Sequence, residues 1–120
     1  MDKIFVERNM LLRAVWPNFW KKDGTLSSAL FKDKKGVSVT CTNLDDLQKS
    51  IFFMIDNFKG KIISVTTDDC EHVKAFLAFK PNKHNPYHCE IHGSKDQVIL
   101  SNEQALALAN RAIVQSEGKI

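Results

Sequence analysis

Between Gly36 and Thr66 the spacing of apolar residues changes period twice, and this limits the fold more than any other feature of the chain. Gly36-Val37-Ser38-Val39-Thr40-Cys41-Thr42 alternates and is rich in β-branched side chains, which predicts a strand. From Asn43 the period lengthens. Leu44, Leu47, Ile51, Met54, Ile55 and Phe58 recur at helical spacing, and Phe52 widens the same face. Asn43 offers a cap, Asp45 and Asp46 suit the positive end of the helix dipole, and Lys59-Gly60 closes the helix. Lys61–Thr66 then reads as a second strand.

The flanks add weaker elements. Met10–Trp16 is apolar enough to be buried, either as a short strand or as the end of a helix from about Val6, and Pro17 ends it. Lys22-Asp23-Gly24-Thr25 is a turn, and Ser27–Phe31 fits one helical turn capped by a serine hydroxyl. Asp68–Val73 fits a short helical turn and Ala75–Phe79 a strand. Ser101-Asn102-Glu103-Gln104 is a capping box. It opens a helix that would bury Leu106, Ala109 and Ile113, with Ala105 and Ala112 beside them. The expected class is α+β, with one domain over residues 1–120. A small mixed or antiparallel sheet would pack against two main helices, about 43–59 and 102–115.

At 120 residues, with 43% hydrophobic and 26% charged side chains, the chain can bury a core without a disulfide or a metal. The odd count of cysteines (Cys41, Cys70, Cys89) argues for reduced thiols and a cytoplasmic location. No stretch resembles a signal peptide or a membrane span. The net charge is only +3, but residues 1–36 hold eight Lys and Arg against four Asp and Glu.

Three of the four histidines lie between 84 and 92, in Asn85-Pro86-Tyr87-His88-Cys89-Glu90-Ile91-His92-Gly93. As a strand, this places His88, Glu90 and His92 on one face and Cys89 and Ile91 on the other. The outer two side chains then stand about 13 Å apart, too far for one metal, so a third ligand would have to come from His72, Cys70 or Asp69. As a short helix, His88 and His92 would share a face, but Cys89 stands where a zinc protease needs Glu. The strand is the favoured form, with no metal and no cofactor. His88, Glu90 and His92 are then candidate acid–base residues, and Lys80 and Lys83 could hold an anionic substrate such as a phosphodiester. The alternative is a half-buried strand whose histidines simply hydrogen-bond to backbone.

Basic and aromatic residues are interleaved in the first third, among them Arg13, Trp16 and Trp20, a pattern suited to phosphates and unpaired bases. A sequence pI near 8.8 is modest for nucleic-acid binding. Cys70 sits among Asp68, Asp69 and Glu71, which would raise its pKa and disfavour it as a nucleophile. No phosphate-loop or dinucleotide fingerprint is present.

The blocks Asp23–Phe31, Gly36-Val37-Ser38-Val39 and Asn85-Pro86-Tyr87-His88 resemble a set of small uncharacterised bacterial proteins, over roughly residues 10–115. That resemblance implies a bacterial or phage-like origin and says nothing of mechanism. The leading expectation is a small binding or regulatory module acting with a protein partner through the aromatics near Trp16 and Trp20. The alternatives are a metal-independent phosphodiester hydrolase or transferase using the His88/Glu90/His92 face, and RNA or single-stranded DNA binding through the basic, aromatic N-terminal third.

Overall fold

The computed structural model describes residues 2–118. Six strands form one sheet: β1 (Met10–Val15), β2 (Val37–Thr42), β3 (Lys61–Thr66), β4 (Phe76–Phe79), β5 (His88–His92) and β6 (Ile113–Ser116). Their order is β4-β5-β2-β1-β3-β6 and every neighbouring pair is antiparallel. Four helices accompany them: α1 (Lys3–Glu7), α2 (Leu47–Asn57), α3 (Thr67–His72) and α4 (Asn102–Arg111), with 3-10 turns at Pro17–Phe19 and Ser28–Phe31. The class is α+β, as the changes of period imply, and the sheet is antiparallel rather than mixed.

Strand alternation divides the apolar residues between two layers. Leu11, Val15, Val39, Cys41, Val65 and Ile91 face the larger core, where they meet Phe5, Phe31, Leu100 and Leu108. The opposite face buries Leu12 and Ile62 under Ile51 and Met54 of α2. Each fully buried Leu, Ile or Phe contributes roughly 1.5–3 kcal/mol. The 10–16 segment is the strand alternative, and α1 is a separate turn of helix ahead of it.

The two main helices are shorter than their apolar patterns suggest. Asn43 does cap, its Oδ1 accepting from the Asp46 backbone N–H at 2.8 Å, but the cap closes a turn that precedes α2. Leu44 is therefore exposed, and Phe52 and Phe58 also project outward. α2 covers only a narrow strip of sheet, so its buried stripe is Ser50, Ile51 and Met54, with the Ser50 hydroxyl donating to Thr42 Oγ1 at 2.7 Å. α4 has the expected capping box of Ser101 and Gln104, but it stops at Arg111. Residues 113–116 form β6 instead of a further helical turn. They are β-branched at Ile113 and Val114, and they pair with β3, which would otherwise be an open edge. The buried stripe of α4 is Ala105, Leu108 and Ala109, while Leu106 and Ile113 are exposed. α3 carries a second capping box, Thr66 with Asp69.

β1 pairs with β3 along its whole length, from Met10↔Thr66 to Val15↔Lys61. Its pairing with β2 covers only Met10↔Thr42, Leu11↔Cys41 and Leu12↔Thr40. Beyond Leu12 the two central strands part. Among the described residues no helix is long and apolar enough to cross a membrane.

The stripe on α4 can be checked by unfolding in urea. Leu108→Ala removes a fully buried side chain and should cost about 2–5 kcal/mol. Leu106→Ala trims a side chain that is 50% exposed and should cost less than about 1 kcal/mol. The reverse order would mean that the helix is rotated.

Candidate functional site: the cleft between β1 and β2

Where β1 and β2 separate, the sheet opens into a cavity of about 410 Å³. Arg13 and Ala14 form one wall and Ser38 and Thr40 the other. Met54, Asn57, Phe58 and Lys59 close it from the end of α2, and Asn85 and His88 reach in from the segment that enters β5. Trp16 and Phe19, just past the end of β1, stand at its margin.

Arg13 is the unusual residue of this site. By alternation it belongs with Leu11 and Val15 on the side of the larger core, where an apolar residue is expected. Its guanidinium instead spans the split, donating to Ser38 O at 2.7 Å and to Leu30 O at 3.3 Å. Its Nε–H is buried with no partner. Burial pulls the Arg13 pKa below its ordinary value, opposed by the charge of Asp33, yet no described carboxylate forms an ion pair with it. Among the described residues the cavity lining contains no Asp or Glu, and Lys59 adds a second cation. A half-buried positive charge without a counter-ion among the described residues favours an anion.

The loop that precedes β5 is tightly built. Asn82 Oδ1 accepts from the backbone N–H groups of His84 and Asn85. Asn85 is itself buried, donating to Thr40 Oγ1 at 2.8 Å and accepting from the Tyr87 N–H at 3.0 Å. This delivers His88 to the cleft with a defined ring. His88 Nδ1 lies 2.8 Å from Lys80 O, and a carbonyl can only accept, so Nδ1 carries the hydrogen. In the neutral ring, the lone pair is then on Nε2.

His88, Glu90 and His92 do share one face of β5, with Cys89 and Ile91 in the core. They do not form one site. His88 lines the cleft, whereas His92 is 9% exposed and turns its Nε2 to Glu90 Oε1 at 2.8 Å. Lys80 Nζ stands 3.6 Å from the same oxygen, so its charge is directed at Glu90. Gly36 makes this arrangement fit: it has φ of +100°, and a Cβ there would lie 2.7 Å from Glu90 Oε1 and 2.9 Å from His92 Nε2. Lys83 is exposed in the loop before β5. Trp16 lies at the cleft, 57% exposed. Trp20 is half-buried in the neighbouring depression, with Lys61 Nζ 4.9 Å from its ring. Among the described residues no three His, Cys, Asp or Glu side chains converge as a metal group, and His72, Cys70 and Asp69 stay on α3.

Ser38, Thr40, Phe58 and Lys59 complete the cleft without having stood out in the sequence. The available signal was the polar half of the β2 alternation, Ser38 exposed and Thr40 buried against Asn85. The three cysteines are free and buried, and none lines the cleft. Burial, aided by Asp69 and Glu71, pushes the Cys70 thiol up to about 12, the direction its acidic neighbours imply. Cys41 and Cys89 each lie 3.3 Å from Tyr87 O. Contact with Cys89 lowers the Cys41 pKa, against the effect of burial, and raises that of Cys89. Comparison with protein-family models, with curated proteins and with solved structures finds no match for this chain.

A pair of glycine substitutions tests the packing of Glu90 and His92. Gly24 and Gly36 both have positive φ, so alanine at either strains the backbone by about 1–3 kcal/mol. Nothing lies within 4 Å of a Cβ at Gly24, whereas Gly36→Ala must also displace the Glu90–His92 pair. Gly36→Ala should therefore be the more destabilising in urea and should shift the His92 ring resonances. Equal costs and an unmoved His92 would show that the pair does not rest against Gly36.

Proposed function

We propose that the protein binds a phosphate-bearing ligand with a flat aromatic group, a nucleotide or one nucleotide unit of a larger molecule, in the cleft between β1 and β2. The observation that carries this is the Arg13 guanidinium, half-buried in a cavity whose lining has a second cation and no carboxylate. Ser38 and Thr40 add hydroxyls on one wall. Trp16 and Phe19 add aromatic surface at the margin, where a base would stack. The protein-partner reading draws on the same exposed Trp16, but the charge of the lining favours phosphate over an apolar protein surface.

Titration of nucleoside 5′-monophosphates against tryptophan fluorescence tests this. Arg13→Ala should weaken binding about 10–100-fold, the range for a hydrogen bond to a charged group. It also removes bonds to Ser38 O and Leu30 O, so Lys59→Ala and Trp16→Ala, both at exposed positions, serve as variants that keep the fold. Each should weaken binding at least threefold, and the unphosphorylated nucleoside should bind worse than the nucleotide. Binding unchanged in all three variants, or absent at millimolar nucleotide, overturns the reading.

A second reading, acid–base chemistry on that ligand, is favoured by one observation: His88 lines the cleft with its hydrogen fixed on Nδ1, which leaves Nε2 free to take a proton. Glu90 lies across β2 from the cleft, opposite Ser38. In this reading water attacks the phosphorus of a dinucleotide as His88 Nε2 takes its proton, the P–O bond to one nucleoside breaks, and that nucleoside leaves as an alcohol. His88→Ala then slows cleavage about 10²–10⁴-fold while leaving nucleotide affinity within a few-fold. No cleavage by the native protein, or cleavage undiminished in His88→Ala, removes it.

A further inference from the structure

We infer that the natural ligand is a single strand of nucleic acid, laid along a trough of which the β1–β2 cleft is the middle. The inference rests on the nucleotide reading above and extends it. The cleft has a neighbouring depression on each side. Trp16 and Lys59 also line a second depression of about 510 Å³, which continues past Trp20 and Lys61. At the other end Thr40 and Asn85 also line a third, of about 300 Å³, bounded by Arg8, Lys49, Phe53 and Tyr87. Shared lining residues make the three neighbours on one surface, with the buried Thr40–Asn85 hydrogen bond between the first and the third.

The charge along this path has one sign in excess. Arg8, Arg13, Lys49, Lys59 and Lys61 line it, against Asp46 and Glu117. Asp46 is engaged by Arg8 at 3.1 Å and Glu117 by Lys61 at 3.2 Å. Arg13, Lys49 and Lys59 have no ion pair among the described residues, so each of the two ends that meet the cleft has a free lysine. Lys49 lies near the start of α2 and Lys59 just past its end. At about 1.5 Å per residue their backbones are roughly 15 Å apart, the axial rise of about four stacked nucleotides at about 3.4 Å each. The two lysines line different depressions, a separation that suits successive nucleotides. Aromatic surface accompanies this charge: Trp16 at 57% exposure at one end, and at the other Tyr87 at 39%, with the Arg8 guanidinium over one ring face, beside half-buried Phe53. A duplex would use the lysines and leave the aromatic faces idle, because its bases are already stacked. An unpaired strand uses both.

Fluorescence anisotropy with labelled oligo-U and oligo-dT of one to eight nucleotides tests this. Affinity should rise at least tenfold from one nucleotide to about four and then level off. Lys49→Ala, an exposed position outside the central cleft, should weaken the tetranucleotide at least fivefold and the mononucleotide less than twofold. It should also lower the slope of log affinity against log salt by about 0.7 for the tetranucleotide. Arg13→Ala should weaken both lengths. A stronger response to oligo-U or to oligo-dT distinguishes RNA from DNA, and either supports a strand. A mononucleotide that binds as tightly as the tetranucleotide, or a Lys49→Ala effect equal at both lengths, overturns the strand while the nucleotide reading stands. If neither length binds, both readings fall.

Discussion

The hydrogen bond from Arg13 to Ser38 O is the contact on which the architecture around the cleft depends. Where two strands part, each loses ladder partners, and the carbonyls left behind must find donors. Arg13 supplies one at the point where the β1–β2 ladder ends. Through Leu30 O it also ties in the 3-10 turn at Ser28–Phe31. A single side chain thus bridges the split from β1 to β2 and to the turn behind it. The arrangement leaves a partly desolvated cation with no carboxylate, and this same feature gives the cleft its preference for anions.

Two groups of ionisable residues lie close together on β5 but differ in kind. In the Lys80–Glu90–His92 cluster, the Lys80 ammonium and the His92 ring are both directed at one carboxylate, so the cluster is largely satisfied within itself. The cleft has the opposite character, with cations, hydroxyls and an imidazole but no internal acid. Charge clusters of the first kind stabilise local geometry, and those of the second kind retain capacity for an external partner. His88 and His92 sit only four residues apart on one strand, yet they fall on different sides of this division.

The elements that local chemistry dictates were legible in the sequence. β2 follows from alternation and β3 from its run of β-branched residues, β5 was favoured over a very short helix, the turn at Gly24 follows from its Asp-Gly step, and the start of α4 from Ser101 and Gln104. What was not legible depends on distant neighbours. The end of α4 at Arg111 is set by the open edge of β3, which the pattern of residues 105–113 cannot register. The exposure of Phe52 and Phe58 follows from how little sheet α2 covers. For the site, Arg13, Trp16 and His88 stood out by residue type and do meet at one cleft. Ser38 and Thr40 did not stand out, because a polar residue on an alternating strand marks only an uncovered face until the neighbouring strand is known. The His/Glu row was correctly placed on one face, but which of its members turn to each other was fixed by Gly36, through space rather than through spacing.

The strand order has a consequence for assembly. β1 is the first strand in the chain, yet it lies inside the sheet, between β2 and β3, with β4 and β6 at the margins. Its partners must be recruited from far along the chain, a non-local closure that slows folding. The cleft gathers its walls from β1, β2, the end of α2 and the entry to β5, so no partly formed sheet contains it. A molecule that occupies the cleft can recognise only the finished protein, and it would act as a selective brake on unfolding.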